Sequence, residues 1–189
     1  MHTTPGSHGV RRLALAAALL VFALAGPVQA AEPFRLRTPT GASVEFTGKS
    51  QAPATVLFFW ASWCPYCKAL MPHLQSVLDQ HGPDIQFYAI NIMENADPAA
   101  FLADAGYDWT LLVNGDEVAK TYGVRGTPGL VVVDRSGATV FDLARIPASA
   151  AVQKRVSGTD SRPRAAGHLA PFWAAELRRA LDPVVRQAR

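Results

Sequence analysis

The chain predicts an α/β fold: a central mixed sheet with helices on both faces, preceded by an N-terminal β-hairpin. Three observations predict it. Ala54 to Trp60 and Ile85 to Ile92 are continuous apolar runs, with the length and the β-branched and aromatic content of strands buried on both faces. Between them Leu70, Leu74, Val77 and Leu78 recur at intervals of three and four, one stripe of a helix. Strand, helix and strand imply a parallel βαβ unit, and a later pair of short strands around Arg135-Ser136-Gly137-Ala138 adds antiparallel members.

In chain order, Phe34 to Arg37 and Ser43 to Thr47 partly alternate around Pro39 and Gly41 and read as the leading hairpin. The helix from Pro65 to His81 carries Pro72 in its interior, where the missing N–H and the ring predict a kink, and Gly82-Pro83 ends it. Asp97 as N-cap and Pro98 at the first helical position start the next helix. Phe101, Leu102 and Ala105 form its apolar face, and Gly106 stops it. Trp109 to Val113 is a short strand, Asp116 to Tyr122 a short helix, and Leu130 to Val133 a strand whose partner is Thr139 to Leu143. These elements make a core of residues 31–145. Residues 146–167 hold Pro, Ser, Gly and charged side chains without an apolar period. They are expected as an exposed insertion or linker in which Lys154, Arg155, Arg162 and Arg164 concentrate. From Pro171 the pattern is helical again, with Phe172, Trp173, Leu177 and Leu181 inward, so residues 168–189 are expected as a C-terminal helix packed on the core.

The 189 residues are 49% hydrophobic and 17% charged, which is the composition of a folded domain and not of a disordered chain. Residues 1–30 read as a signal peptide, with a basic Arg11-Arg12 pair, an uncharged Leu- and Ala-rich run from Leu13 to Gly26, and small residues at Val28 and Ala30 suited to cleavage after Ala30. The run is short of the roughly 20 apolar residues of a spanning helix. Export to a periplasmic or similar compartment is therefore expected, with an uncleaved N-terminal anchor as the alternative. Taking Arg11 and Arg12 from the 18 Lys+Arg leaves 16 against 15 Asp+Glu, a near-neutral balance that offers no electrostatic footprint for nucleic acid.

Only two cysteines exist, Cys64 and Cys67, in one Cys-x-x-Cys. A secreted domain stapled by disulfides spreads more cysteines along its chain. A bridge across so small a loop also restrains the unfolded state little. The pair stands where a buried strand hands over to a helix. At that helix start, unpaired N–H groups and the dipole favour an anion, so the Cys64 thiol is expected below its free pKa of about 8.5. Cys67, one turn on, faces the interior within reach of Cys64. The roles follow: Cys64 attacks a partner disulfide and Cys67 resolves the mixed disulfide. Pro65 suits the first turn. Trp60 reads as core, whereas Trp63 reads as part of a contact surface. The alternative for Cys-x-x-Cys is half of a metal site. A closed zinc site needs four ligands, and His73, His81 and His168 show no paired spacing, so no metal is assigned.

Strand, Trp60-Ala61-Ser62-Trp63-Cys64-Pro65-Tyr66-Cys67-Lys68, Pro72 in the same helix and a later Gly126-Thr127-Pro128 before a strand together resemble the thioredoxin superfamily, most nearly the exported TlpA- and ResA-like thiol–disulfide oxidoreductases. The resemblance covers roughly Phe34 to Leu143, together with the last helix. It implies a thioredoxin-like fold, a redox-active dithiol without a cofactor, a cis peptide bond before Pro128, and Trp63, Pro65, Tyr66, Thr127 and Pro128 as the surface that meets a partner. It further implies that the partners are cysteine-containing extracytoplasmic proteins together with a redox partner protein, membrane-bound or free, and that the chain acts as a monomer. Three positions depart from the family pattern. Phe58 stands where thioredoxins carry a buried Asp, Leu70 where exported reductases often carry a Glu, and Ala89 where the family has a Lys, so the usual group that helps Cys67 lose its proton is missing. Pro65-Tyr66 also differs from the thioredoxin Gly-Pro and implies a less reducing couple. Reduction of exported protein disulfides is the leading reading. Oxidase or isomerase activity of the same fold is the runner-up, and a metal chaperone or non-catalytic module is the reading from another class.

Overall fold

The structure is a computed structural model that describes residues 30–188. The predicted signal segment lies almost wholly outside the described residues. Among the described residues, seven strands and five α-helices follow in the order β1 (Phe34–Arg37), β2 (Ser43–Phe46), β3 (Ala54–Trp60), α1 (Pro65–His81), β4 (Ile85–Asn91), α2 (Pro98–Asp104), β5 (Thr110–Leu112), α3 (Asp116–Thr121), β6 (Gly129–Asp134), β7 (Thr139–Asp142), α4 (Ala150–Ser157) and α5 (Arg162–Gln187). The central sheet has the order β5-β4-β3-β6-β7. β3 runs parallel to β4 and antiparallel to β6, which makes the sheet mixed as expected.

β3 sits at the centre, buried along its whole length. Its alternation sorts the core into two layers. Val56, Phe58 and Trp60 face one side, together with the inward residues of α1, α2 and α5. Leu57 and Phe59 face the other, with Tyr88, Ile90, Val131 and Val133. Helix α3 covers this second face through Ala119, and the β1–β2 hairpin completes the cover with Phe34 and Phe46. The hairpin is thus a structural lid on the sheet. It is tied to β5 by the Val113 N–H donating to the Arg37 carbonyl at 2.9 Å.

Helix α1 runs through Pro72 as one element and buries Cys67, Leu70, Met71, Leu74 and Val77. Its C-cap Gly82 has a φ of 53°, a left-handed value that glycine adopts without steric cost. Asp97 caps α2 as predicted, its carboxylate accepting from the Ala99 and Ala100 N–H groups at 2.9 and 3.0 Å.

Residues 146–167 differ from expectation. They are not a loop. Ser149 caps α4, and Arg162 already begins α5, so the last helix starts six residues before 168 and nine before Pro171. The reason is the identity of its inner face. Ala165, Ala166, Ala170 and Ala174 are buried and continue into Leu177, Leu181 and Val185 at spacings of three and four. Alanine marks an apolar stripe weakly in sequence but lets a helix lie close to its neighbour. Helix α4 itself buries no residue and packs along α5. A hydrogen bond ties α5 to α1, Arg178 Nη2 donating to Ser76 Oγ at 3.0 Å, while the buried His81 Nε2 lies 3.6 Å from Asp182 Oδ1 without a hydrogen bond to it.

Candidate active site

The pairing of β3 with β4 is parallel, so both strands end on the same side of the sheet, and the loops that follow them meet there. After β3, the chain turns through Ala61-Ser62-Trp63, closed by the Cys64 N–H donating to the Ala61 carbonyl at 3.1 Å. Cys64 is the N-cap of α1, with an extended φ/ψ of −77°/113°, and Pro65 fills the first helical position. A thiolate here occupies the place of a capping oxygen. The Cys67 N–H donates to Cys64 Sγ at 3.2 Å.

Both cysteines are free thiols and both are buried, Cys64 to 1% exposure and Cys67 to 0%. Their environments push them apart. The Cys67 thiol, as a hydrogen-bond donor, is the strongest influence on Cys64 and lowers it to about 6 against the opposing effect of burial. The Thr127 hydroxyl and the backbone N–H groups of Cys67 and Tyr66 add to the lowering. Cys67 is pushed far up, first by burial and then by the hydrogen bond to Cys64 and its negative charge. Its surroundings explain the burial: Cys67, Phe58, Leu70 and Ala89 share one apolar cluster and each is 0% exposed. The pair therefore holds one thiolate and one thiol at neutral pH, joined by a hydrogen bond.

The remaining residues singled out in the sequence gather around this pair. The Thr127–Pro128 peptide bond is cis, and the Thr127 hydroxyl reaches Cys64. Tyr66 is half-buried, with its ring centroid 6.3 Å from that of Trp173 on α5. Trp60 is fully buried and Trp63 is 46% exposed, the division the sequence predicted.

Sequence reasoning missed the brace behind the cysteine loop. Glu94, in the loop after β4, accepts from the Ser62 N–H at 2.9 Å, the Ser62 hydroxyl at 2.8 Å and the Asn91 side-chain amide at 2.7 Å. The N–H groups of Asn95 and Ala96 complete its shell. Burial opposes its ionisation, but these donors together hold the Glu94 carboxyl below the usual carboxylate range. Beside it, Trp63 Nε1 donates to the Met93 carbonyl at 2.7 Å, and the Met93 N–H donates to Asp116 at 2.9 Å. Met93 adopts a left-handed φ of 51° and is 48% exposed, so it stands next to Trp63 as an apolar projection. The available signal was positional: Glu94 is the first acidic residue after a strand parallel to the one that leads into Cys64.

Residues 42–149 match the thioredoxin-like domain family. The soluble secreted antigen MPT53 of Mycobacterium tuberculosis is 31% identical over 150 residues, covering 75% of this chain and 84% of that one. The thiol:disulfide interchange protein HelX of Rhodobacter capsulatus is 33% identical over 111 residues, 56% of this chain and 61% of that one. The solution structure of a thiol:disulfide interchange protein from Bacteroides sp. superposes with a TM-score of 0.54 over 83% of this chain and 91% of that one, at 14% identity, a likeness of fold. The chain belongs to the thioredoxin-like family and is a thiol–disulfide oxidoreductase.

Proposed function

We propose that this thioredoxin-family chain reduces disulfides in extracytoplasmic proteins, with Cys64 as the attacking and Cys67 as the resolving residue. The observation that carries the reading is the asymmetry of the pair, a thiolate at the helix start next to a buried protonated thiol. The Cys64 thiolate attacks one sulfur of the partner's disulfide, forms the Cys64–partner bond and releases the other sulfur as a thiolate. Cys67 then gives up its proton and attacks Cys64, the Cys64–Cys67 bond forms, and the partner leaves fully reduced. Two electrons pass to the partner, and a redox partner protein carrying a dithiol returns them.

The second step is slow in this chain. Formation of the mixed disulfide removes the Cys64 charge and its hydrogen bond, two of the three influences that hold Cys67 protonated. Burial among Phe58, Leu70 and Ala89 remains, without a carboxylate or amine at those positions. Trp63, Pro65, Tyr66, Thr127 and Pro128 serve as the contact surface. The signal-like residues 1–30 and a secreted relative support export.

The opposite direction has one observation in its favour. A stabilised Cys64 thiolate favours the reduced form and makes the disulfide a better oxidant. The equilibrium potential of the Cys64–Cys67 couple in defined thiol buffers decides. A value near about −270 mV supports the reductase, and a value near about −120 mV replaces it with an oxidase or isomerase.

A further inference from the structure

The central sheet stops at β5, whose outer edge pairs with no strand along its length among the described residues. One bridge starts just beyond it. Arg37 and Val113 face each other antiparallel, and the Val113 N–H donates to the Arg37 carbonyl at 2.9 Å. The next hydrogen-bonded pair in that register would set Pro39 opposite Leu111, but Pro39 has no N–H to give. The chain turns back instead, the Gly41 N–H donating to the Thr38 carbonyl at 2.9 Å. In effect β1 begins a sixth strand of the central sheet and is cut off. The place its continuation would take is open: a groove of about 780 Å³ has Thr38 and Pro39 along one wall, Leu102 and Ala103 of α2 along the other, and Leu111 between them. Backbone groups alternate in direction along a strand, so the Leu111 N–H and carbonyl point the same way as those of Val113, outward into this groove. The Leu111 side chain shares its core layer with Leu102. Asp108, the one charged side chain that lines the groove, is exposed and has no ion-pair partner among the described residues.

We propose that this slot takes an extended segment of a partner protein as a further strand, antiparallel to β5, with an apolar side chain opposite Leu111 and a Lys or Arg at its C-terminal end against Asp108. Opposed residues of an antiparallel hydrogen-bonded pair exchange both bonds and put their side chains on the same face. The residue opposite Leu111 therefore points at Leu102 and Ala103, which suits an apolar side chain. Its neighbours in the segment point at the turn that carries Thr38, which suits polar ones. Because the segment runs against β5, its C-terminal end meets Asp108, whose unmatched charge is complementary to a cation. A strand added to a sheet edge draws affinity from main-chain hydrogen bonds and selectivity from alternate side chains. The cysteines and the residues around them do not line the slot, so the inference does not draw on the dithiol or on the direction of electron flow.

The test uses the full chain and peptides of alternating Val and Thr that end in Lys, labelled with fluorescein at the N-terminus and read by fluorescence anisotropy. Saturable binding is expected below about 1 mM peptide. Exchange of the terminal Lys for Glu is expected to weaken it about fivefold at low salt, a difference that fades at about 1 M salt. N-methylation separates the two edges of the peptide. At the Val residues it is expected to weaken binding at least about tenfold, because a Val N–H donates to the Leu111 carbonyl; at the Thr residues, whose N–H groups face solvent, it is expected to change little. Hydrogen exchange at the Leu111 amide, read by NMR, is expected to slow in the complex. Ala103→Phe, a change at an exposed helix position that fills the slot, is expected to abolish binding and leave reduction of bis(2-hydroxyethyl) disulfide unchanged. No saturation up to about 1 mM, no preference for Lys over Glu, or equal losses from methylation at Val and at Thr overturns the proposal. So does a dimer of the chain in sedimentation that Ala103→Phe dissolves, which gives the slot to a second copy. The Cys64→Ser, Cys67→Ser chain is expected to bind the peptides as tightly as the parent, so failure of the proposed function and failure of this inference are told apart.

Discussion

Replacing Cys67 probes the origin of the Cys64 thiolate directly. The Cys67 thiol is the largest influence lowering Cys64 to about 6. A hydrogen bond to a charged acceptor contributes about 1.5–3 kcal/mol, or about 1–2 pKa units. Cys67→Ala removes that donor and is expected to raise Cys64 to about 7–8. Cys67→Ser keeps an O–H donor at the same place and is expected to leave Cys64 near 6. The measurement is the alkylation rate of Cys64 by iodoacetamide across pH, checked by ultraviolet thiolate absorbance. At about pH 6.5 the thiolate fraction falls from about three quarters in the parent to between about a quarter and a few per cent in Cys67→Ala, and the alkylation rate falls with it. Above about pH 9.5 the two rates converge. If Cys67→Ala titrates near 6 like the parent, the donor argument fails, and the helix N-terminus with its backbone N–H groups supplies the whole effect. If Cys67→Ser shifts as far as Cys67→Ala, a donor at that position is not what matters.

The same depressed thiol makes the stability of the reduced form depend on pH. The unfolded Cys64 binds its proton up to about 8.5 and the folded one only to about 6, so this stabilisation is complete above the unfolded value and is lost as pH falls through 6. Between about pH 6.5 and 8 the reduced chain is expected to gain about 1.4 kcal/mol per unit relative to Cys64→Ser, read by urea unfolding, and a flat difference contradicts it. Glu94→Ala frees the Ser62 N–H and the Asn91 amide; a cost of about 1–3 kcal/mol and a slower Cys64 alkylation are expected, measured by thermal unfolding and iodoacetamide kinetics. A variant as stable and as reactive as the parent removes Glu94 from the brace. Leu177→Ala, at a fully buried position between α5 and the core, is expected to cost about 2–5 kcal/mol in denaturant unfolding, and a loss below about 1 kcal/mol means that α5 docks loosely.

Most of the scaffold was legible because its signals are local. The apolar run from Ala54 to Trp60, the stripe through Leu70 and Leu74, the Asp97-Pro98 start and the turn at Gly137 each state an element through residues close together in sequence. The dithiol was legible for the same reason, since Cys64 and Cys67 are three residues apart at a strand-to-helix handover. The start of α5 was not, because an alanine stripe from Ala165 to Ala174 carries little hydropathy contrast, and its burial depends on how close α1 lies. Glu94 bracing Ser62 and Trp173 meeting Tyr66 were also beyond reach. The fold class, the Cys64-x-x-Cys67 pair at a helix start and the lack of a carboxylate at Phe58 and Leu70 are all written in the sequence. The tertiary structure alone decided what surrounds the dithiol, because parallel pairing and helix docking bring together residues that are roughly 30 to 110 positions apart, and no local pattern encodes such a meeting.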